Sequence, residues 1–296
     1  MDLQRFSSIT HLHFYAIVNT VIKFRENPQD TPLRLLDVGC GNGMMLSTLV
    51  KELALRNPGI QFEFAGLDVN DSQVQEEGYF DKTISLLAST ASQINWTERL
   101  HLIKSTDPWP FPDDYFHIIL SNQVLEHVFN QAFLMKQVHR TLQKKGYSFH
   151  LYPLRHYIYE GHLHMPFVHK FRSWTMTYHW IKWCTYLGMG TYKIHKKQGL
   201  DHSLDNYAER HADYLAYQVN YQTVRQVTNT ARECRLKPSF DFTYLYYLQK
   251  LRSLLRMPPL EEYRRRDMAS IRNIVYFFFL KYFTGITLVL RKNDKF

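Results

Sequence analysis

The chain of 296 residues is 45% hydrophobic, 15% aromatic and 21% charged, which is the composition of a folded globular protein. This length and composition exclude a miniprotein as well as a disordered or fibrous chain. The net charge of +9 is uneven, because residues 1–150 hold 13 basic and 16 acidic residues and residues 151–296 hold 23 and 11. A C-terminal half with a charge of +12 indicates contact with something anionic, such as nucleic acid, a membrane surface or a phosphorylated small molecule.

The cysteines and the apolar segments of the sequence indicate in which cellular compartment the protein is expected. The three cysteines are far apart and form no Cys-x-x-Cys pair, which argues against a disulfide framework and against a thiolate zinc site. The N-terminus lacks the basic start and apolar core of a secretory signal, and the apolar run of residues 274–280 is too short to span a bilayer. We therefore expect a cytoplasmic protein without a transmembrane segment.

The first half of the chain alternates helices and strands. Apolar spacing predicts a helix over residues 8–27, then a buried strand over 33–38 that runs directly into the glycines of residues 39–43. Further predicted helices cover residues 44–56, 74–91 and 131–143, and further predicted strands cover residues 61–67, 100–104, 116–121 and 147–152. This order predicts an α/β fold with a parallel sheet that is covered on both faces.

The alternation stops after Pro153, and residues 154–220, rich in His, Tyr, Trp and Lys, are interpreted as an insertion. The order then resumes with predicted helices at 221–235 and 269–283 and predicted strands at 240–247 and 286–291. The chain accordingly divides into an N-terminal helical cap (1–32), a core (33–153), the insertion (154–220) and the C-terminal part of the core sheet (221–296).

The glycine turn carries the most informative chemistry. Gly39, Gly41 and Gly43 let the backbone turn tightly and approach a ligand, Asp37 precedes them, and Asp68 ends the next predicted strand, where a carboxylate can accept both hydroxyls of a ribose. The pyrophosphate-binding version of this turn has two residues between its second and third glycines, whereas only one stands here. An acid before the turn would repel pyrophosphate, and it suits a ligand with an ammonium or sulfonium group.

Three segments resemble the class I S-adenosylmethionine-dependent methyltransferase family. Residues 35–43 (LLDVGCGNG) resemble its first motif, residues 109–116 (WPFPDDYF) its segment before strand four, and residues 121–128 (SNQVLEHV) its segment after that strand. The resemblance covers residues 35–153 well, with one departure, since His117 stands where the family often has Asp. It implies a Rossmann-like fold with a seven-stranded, mostly parallel sheet whose last strand is antiparallel, plus an insertion after strand five.

The resemblance also implies a cofactor and its contacts. The cofactor would be S-adenosyl-L-methionine, with S-adenosyl-L-homocysteine as product and no metal expected. The implied cofactor-binding residues are Asp37, Gly39, Cys40, Gly41, Asn42, Gly43, Asp68, Val69, Thr106, Asp107, Asn122 and Gln123. For Cys40 a small residue filling a tight turn is favoured over a nucleophile.

The catalytic candidates are histidines and a carboxylate near the ligand-binding edge of the sheet. An alcohol acceptor must lose its proton during methylation, and His127 is the leading candidate for the base, with a packing role as the alternative. Glu126 would orient His127 or cap a helix, and His156 in the insertion is a third candidate. The candidate acceptor-binding residues are Arg155, Tyr157, His162 and His164.

A second reading exists for the start of the insertion. In an extended segment, Glu160, His162 and His164 would share one face and form a three-ligand metal site, although a polar lid loop is the favoured interpretation. Residues 153–169 also resemble a segment of bacterial methyltransferases from surface-polysaccharide and small-molecule pathways. This resemblance implies that the acceptor is a sugar or another hydroxylated metabolite, either with or without a phosphate group.

The expected function is thus S-adenosylmethionine-dependent O-methylation of a sugar, a glycan intermediate or another small, anionic metabolite. N-methylation or RNA methylation remains an alternative, because Lys and aromatic residues interleave over residues 174–197. A catalytically silent scaffold with the same fold is a second alternative. Residues 274–283 are expected to form a core helix, with peripheral contact to an anionic membrane as the other interpretation. The oligomeric state is left open.

Overall fold

A computed structural model describes residues 5–24, 32–71, 78–264 and 271–293. The strands are β1 (Leu33–Val38), β2 (Phe62–Val69), β3 (Leu100–Ile103), β4 (Phe116–Asn122), β5 (Leu142–Tyr152), β6 (Tyr159–Glu160), β7 (Met165–Pro166), β8 (Leu236–Ser239) and β9 (Ile286–Lys292). The helices are α1 (Ile9–Lys23), α2 (Met44–Arg56), α3 (Tyr79–Thr90), α4 (Trp96–Arg99), α5 (Gln131–Thr141), α6 (Trp174–Tyr186), α7 (Tyr192–Lys197), α8 (Leu204–Tyr217), α9 (Val224–Glu233), α10 (Thr243–Leu254) and α11 (Ile271–Leu280).

The main sheet has seven strands in the order β3-β2-β1-β4-β5-β9-β8. Strands β1 to β5 are parallel, and β9 is antiparallel to both of its neighbours, β5 and β8. Because the chain moves outward from β1 to β3 on one side and from β4 onward on the other, β1 and β4 flank the point where open α/β sheets bind ligands. The predicted seven-stranded, Rossmann-like sheet with an antiparallel last strand is confirmed.

Helices bury apolar side chains on both faces of this sheet. One cluster joins α1, α2 and α10 to the sheet, and a second joins α5, α9 and α11 to the opposite face. The insertion has an apolar cluster of its own, which includes Ile181, Tyr207 and Ala212. Its three helices, α6 to α8, fill a segment in which the sequence indicated no regular elements.

Two predicted boundaries are corrected. The strand predicted over 240–247 is wrong, because α10 occupies this segment, and the edge strand is β8. The buried side chains of Leu245, Tyr246 and Gln249 follow the spacing of a helix, whereas the many aromatic residues imitate a strand. The predicted helix over 131–143 ends at Thr141, and Gly146 lies inside β5, where a Cβ would approach the carbonyl oxygen of His117 to 2.9 Å.

Parts of three predicted helices lie outside the described residues. These parts are residues 25–27, 74–77 and 269–270. The predicted helix over 221–235 is shorter than expected, since Thr223 is the N-cap of α9 and forms a capping box with Gln226 in its first turn, and the helix ends at Glu233.

Candidate active site

The glycine turn between β1 and α2 has a backbone that other residues rarely adopt. Gly39, Gly41 and Gly43 have φ angles of 71°, 49° and 74°. A Cβ at Gly39 would lie 2.4 Å from Cγ2 of Val124, and one at Gly43 would lie 2.8 Å from Cγ2 of Thr83. The turn is thus packed directly against the loop that follows β4.

Asp68, at the carboxyl end of β2, is tied to this turn. Its Oδ2 accepts a hydrogen bond from the Gly41 N–H at 2.7 Å, and its Oδ1 accepts one from the Val69 N–H at 2.8 Å. Burial raises the pKa of Asp68, although these two hydrogen bonds oppose the shift. Each carboxylate oxygen has a second lone pair, so Asp68 can hold the turn and still accept hydrogen bonds from a ligand.

Asp37, at the end of β1, is a buried carboxyl without a hydrogen-bond partner. Both of its oxygens are buried and unpaired within the described part of the chain. Burial, reinforced by the charge of Asp68, raises its pKa well above the ordinary value. A buried carboxylate requires a compensating charge, so this position fits a cationic ligand such as one with an ammonium or sulfonium group.

Two other predicted cofactor residues complete the turn. Cys40 is buried, and its Sγ would lie 3.1 Å from a Cβ at Gly66 of β2, which agrees with the role of a small filling residue. Asn42 is exposed, and its Oδ1 accepts a hydrogen bond from the Met44 N–H at 3.2 Å at the start of α2.

The loop after β3 holds Thr106 and Asp107. Thr106 is exposed, and Oδ2 of Asp107 accepts a hydrogen bond from the Lys104 N–H at 3.1 Å. Asp71 fixes this loop to the end of β2, because its carboxylate accepts hydrogen bonds from the N–H and the hydroxyl of Ser105 at 3.0 and 2.9 Å. Sequence reasoning did not single out Asp71, although its place three residues after Asp68 was a usable signal.

The residues after β4 meet the glycine turn from the other side. Oδ1 of Asn122 is buried and unpaired, whereas the side chain of Gln123 is exposed and its backbone N–H donates to Leu151 in β5. Residues Leu125–His127 form a single 3-10 turn. Within it Glu126 is fully buried with both carboxyl oxygens unpaired, and burial raises its pKa to about 8.

His127 has a defined tautomer when it is neutral. Its Nδ1 lies 3.0 Å from the carbonyl oxygen of Gln218, and since a carbonyl only accepts, Nδ1 carries the proton. Nε2 is then the nitrogen with a lone pair, and burial lowers the pKa of His127. The lowered pKa favours the neutral ring, whose Nε2 is free to accept a hydrogen bond or a proton.

A pair of charged residues from the insertion lies beside this histidine. Nδ1 of His162 lies 2.7 Å from Oε1 of Glu160, and the ring centroids of His162 and His127 are 5.7 Å apart. The Tyr221 hydroxyl donates to the same Oε1 at 2.7 Å, and the Leu163 N–H donates to Oε2 at 2.6 Å. Burial is the largest single influence and opposes both charges, but the hydrogen bonds and the attraction between the two opposite charges together outweigh it, so the pKa of Glu160 is lowered and that of His162 is raised.

Two tyrosines complete the cluster and were missed by sequence reasoning. The Tyr214 ring centroid lies 5.3 Å from that of His162 and 6.4 Å from that of His127. Burial raises the pKa of Tyr214 and of Tyr221, so both hydroxyls stay protonated. Tyr214 lies near the end of the insertion and Tyr221 directly follows it, and no local pattern in the sequence links them to Glu126. We call Glu126, His127, Glu160, His162, Tyr214 and Tyr221 the acid–base cluster.

Other predicted residues lie outside this cluster. Nε2 of His156 accepts a weak hydrogen bond from the Val224 N–H at 3.4 Å, at the start of α9, and its ring contacts Tyr282. Arg155 donates to the carbonyl oxygen of Lys170 at 3.2 Å. Burial raises the pKa of Tyr157, whose N–H donates to Leu154.

The three-ligand arrangement considered for the insertion is not formed. His164 is exposed at a φ of 57°, and its ring contacts Tyr159, because the chain turns after β6 and does not stay extended. In the described ranges, the group with metal-ligand spacing is instead His195, Asp201 and His211. Arg210 already neutralises Asp201 there through hydrogen bonds of 2.5 and 3.0 Å.

The family described as "Methyltransferase domain" matches residues 10–214. No curated protein matches the chain.

Several solved structures resemble most of the chain at low sequence identity. An S-adenosylmethionine-dependent methyltransferase from Mesorhizobium loti is 14% identical, with 90% of this chain and 93% of that chain covered and a TM-score of 0.45. The CMeT domain of citrinin polyketide synthase is 12% identical over 97% of this chain and 52% of that chain, with a TM-score of 0.48. YcgJ from Bacillus subtilis is 14% identical over 95% of this chain and 99% of that chain, with a TM-score of 0.43.

The family match spans more than half of the chain and includes β1, the glycine turn and the segment after β4. The resemblance found in residues 35–153 is therefore confirmed, and with it an enzyme that uses S-adenosylmethionine. The chain belongs to the methyltransferase-domain family and is a class I S-adenosylmethionine-dependent methyltransferase.

Proposed function

We propose that the enzyme methylates a hydroxyl group of a small, anionic acceptor, such as a sugar, a glycan intermediate or a phosphorylated metabolite. The observation that carries this proposal is the acid–base cluster, in which His127 presents a neutral, oriented imidazole at the carboxyl end of β4. An amine acceptor can lose its proton to water, whereas an alcohol needs a base during the transfer. An oriented histidine therefore favours oxygen over nitrogen as the methylated atom.

The cofactor would lie along the carboxyl ends of β1 and β2. Asp37 supplies negative charge to a cationic ligand, Gly39 to Gly43 allow close approach of the backbone, and Asp68 is in place for ribose hydroxyls. When bound, S-adenosylmethionine supplies an electrophilic methyl group on a sulfonium, which is transferred by direct displacement. Alignment of the acceptor with that group contributes about 7–11 kcal/mol to the barrier reduction.

Different residues of the acid–base cluster accept the acceptor's proton, provide positive charge and donate a hydrogen bond. Nε2 of His127 accepts the hydroxyl proton, and the carbonyl oxygen of Gln218 holds the ring through Nδ1. His162, whose pKa is raised beside Glu160, provides a positive charge for an anionic acceptor. Glu126, with its pKa raised to about 8, is protonated at neutral pH and offers a hydrogen-bond donor inside the site.

The residues between Pro153 and Tyr221 are proposed to form the acceptor-binding segment. Arg155, Tyr157 and His164 stay candidates for acceptor contact, and His156 stays a candidate for a positioning role through the start of α9. The division of the chain into 1–32, 33–153, 154–220 and 221–296 is proposed on the same basis, since the insertion has its own apolar cluster. A cytoplasmic location is proposed from the three buried, free cysteines.

Transfer of a labelled methyl group tests this function. The protein is incubated with methyl-labelled S-adenosylmethionine and fractionated cell extract, and the labelled product is identified by mass spectrometry and by its ¹³C chemical shift. We expect an O-methyl group on a small acceptor. A methyl group on nitrogen, or label retained in bulk RNA, would overturn the proposal, and an absence of transfer with every fraction would favour a silent scaffold.

Replacement of the proposed base tests the role of His127. His127→Ala should reduce kcat by about 10²–10⁴-fold while S-adenosylhomocysteine still raises the thermal midpoint. His202→Ala, which changes an exposed ring elsewhere in the insertion, serves as the matched control and should retain most of the activity. Full turnover by His127→Ala would remove the histidine from the mechanism.

A further inference from the structure

Helix α11 buries one face against the core and exposes the opposite face. Asn273, Phe277 and Leu280, at helical spacing, are 4%, 6% and 8% exposed. The ring of Phe277 stacks on that of Phe240 with centroids 4.2 Å apart. This face attaches the helix to the core, as the sequence predicted.

The other face is apolar and exposed. Ile274, Val275, Phe278 and Phe279 are 57%, 53%, 57% and 65% exposed, and Phe283 just beyond the helix is 61% exposed. We call these five residues the α11 outer face. Single exposed apolar residues are ordinary, but a continuous group of five large ones indicates a surface that is covered by something.

The neighbouring helix extends the same character. Tyr244 of α10 stacks on Tyr276 with centroids 4.8 Å apart, and Nζ of Lys250 donates to the Thr284 hydroxyl at 3.2 Å, so the two helices run side by side in the same direction. Leu254, the last residue of α10, is 78% exposed, and Leu255, which directly follows it, is 66% exposed.

The two helices and the short segments that follow them are basic in sequence. Residues 243–260 and 271–285 contain five Lys and Arg residues and no Asp or Glu, while the nearest acidic residues of the sequence are Asp241 before α10 and Glu261 after residue 260. Nζ of Lys281 lies 5.1 Å from the ring centroids of both Phe278 and Tyr282, which places a cation directly beside the α11 outer face. Basic residues beside an exposed aromatic surface are the arrangement that binds anionic lipid headgroups while apolar side chains enter the acyl region.

The same features disfavour other occupants. A second copy packed through this surface would bring cationic segments together, which costs free energy. A protein interface of ordinary composition has about one hydrogen bond per 100–200 Å², whereas the side chains of the α11 outer face contain no polar atom. Within the described residues no helix combines the length and hydropathy required to cross a bilayer, so the contact would be peripheral.

We propose that the α11 outer face binds the surface of an anionic lipid membrane, with Phe278 and Phe279 inserted below the headgroups and basic side chains among them. This contact is independent of which acceptor is methylated.

Vesicle sedimentation of the full-length protein tests the contact. We expect binding to vesicles of equal parts phosphatidylcholine and phosphatidylglycerol, weak binding to phosphatidylcholine alone, and loss of binding as salt is raised. The double variant Phe278→Ser, Phe279→Ser should weaken partitioning by about tenfold or more, because two apolar side chains no longer enter the bilayer. Leu55→Ser, on α2, removes a comparable exposed apolar residue (68% exposed) and should leave binding unchanged.

Tryptophan fluorescence and light scattering distinguish membrane insertion of the α11 outer face from dimer formation through it. Phe279→Trp should show a blue-shifted emission with the phosphatidylglycerol vesicles, and Leu55→Trp should show none. Absence of binding to both kinds of vesicle would overturn the proposal. So would vesicle binding that the double variant retains, or a dimer detected by light scattering that the double variant abolishes.

Discussion

Oε1 of Glu160 lies 2.7 Å from Nδ1 of His162, and the hydroxyl of Tyr221, which directly follows the insertion, donates to the same oxygen. A carboxylate that is fully buried and shared between a histidine and a tyrosine keeps the histidine charged at a higher pH than it would otherwise be. These hydrogen bonds join the start of the insertion to the residue that follows its end, and they set the charge of His162.

The first prediction concerns the pKa of His162. Glu160→Gln should lower it, because the variant removes the hydrogen-bonded negative charge that outweighs burial. Titration of the His162 ring by NMR measures the change, with the resonance assigned from the spectrum of His162→Gln. Tyr221→Phe, which leaves the Glu160 charge in place, should lower the pKa less than Glu160→Gln does. An unchanged pKa in Glu160→Gln would contradict the assigned pair.

The second prediction separates stability from cofactor binding at Asp37. Burial raises the pKa of Asp37, so its ionisation is a cost to the folded state that grows as pH rises above the ordinary carboxyl value. Asp37→Asn should therefore stabilise the free protein by on the order of 1 kcal/mol at neutral pH, yet weaken the stabilisation by S-adenosylmethionine. Thermal unfolding with and without the cofactor measures both, and Glu209→Gln on the surface of α8 should change neither. Cofactor stabilisation equal to that of the wild type would remove Asp37 from the site.

The third prediction uses two glycines with nearly equal φ angles. Gly39→Ala adds a Cβ that would lie 2.4 Å from Val124, at a φ of 71°, whereas Gly199→Ala adds one to open space at 73°. Backbone strain alone should lower the free energy of unfolding of Gly199→Ala by roughly 1–2 kcal/mol. The close contact with Val124 should lower that of Gly39→Ala by about 1–3 kcal/mol more.

Cofactor titration distinguishes the same two variants. Gly39→Ala should weaken S-adenosylhomocysteine binding by at least about tenfold, since the turn must shift against Val124, and 1.4 kcal/mol corresponds to that factor. Gly199→Ala should bind as the wild type does. Similar losses in both variants would show that the contact with Val124 is unimportant.

The fourth prediction concerns acid stability. His150 is fully buried, with Nδ1 and Nε2 each 2.7 Å from a serine hydroxyl, of Ser121 and Ser148, and burial lowers its pKa to about 3. Between pH 6.5 and that value the unfolded chain binds a proton at His150 that the folded chain does not, so the free energy of unfolding decreases as the pH is lowered. In His150→Gln this contribution is absent, so the free energy of unfolding should decrease by about 1.4 kcal/mol less per pH unit than in the wild type. Urea unfolding between pH 7 and pH 5 measures the difference from wild type, and parallel curves for the two proteins would contradict the buried neutral histidine.

The sequence predicted those features that depend on neighbouring residues. Asp37 and the glycine turn follow one buried strand, and Glu126 and His127 follow another, so parallel strands bring them to one edge without further information. Tyr214 and Tyr221 could not be found in this way, because they reach Glu160 only after the chain has passed through three helices of the insertion.

Helices α10 and α11 show a second limit of prediction from the sequence. In α10, closely spaced aromatic residues imitate a strand, and only burial reveals the helical spacing. In α11, an apolar sequence indicated a core helix, but apolar periodicity cannot distinguish a face that packs from one that is exposed. The expected core role holds for Phe277 and is wrong for Phe278 and Phe279.

The two ends of the insertion meet, since the Arg155 N–H donates to the Gln222 carbonyl oxygen at 2.9 Å and the Asn220 N–H donates to that of Glu126 at 2.5 Å. A segment that leaves and rejoins a scaffold at adjacent points can change in length without moving the strands at its base. Residues 154–220 thus have the form of an exchangeable cassette. Under the proposed acceptor-binding role of this segment, its replacement would change the acceptor while β1, β2 and the glycine turn stay as they are.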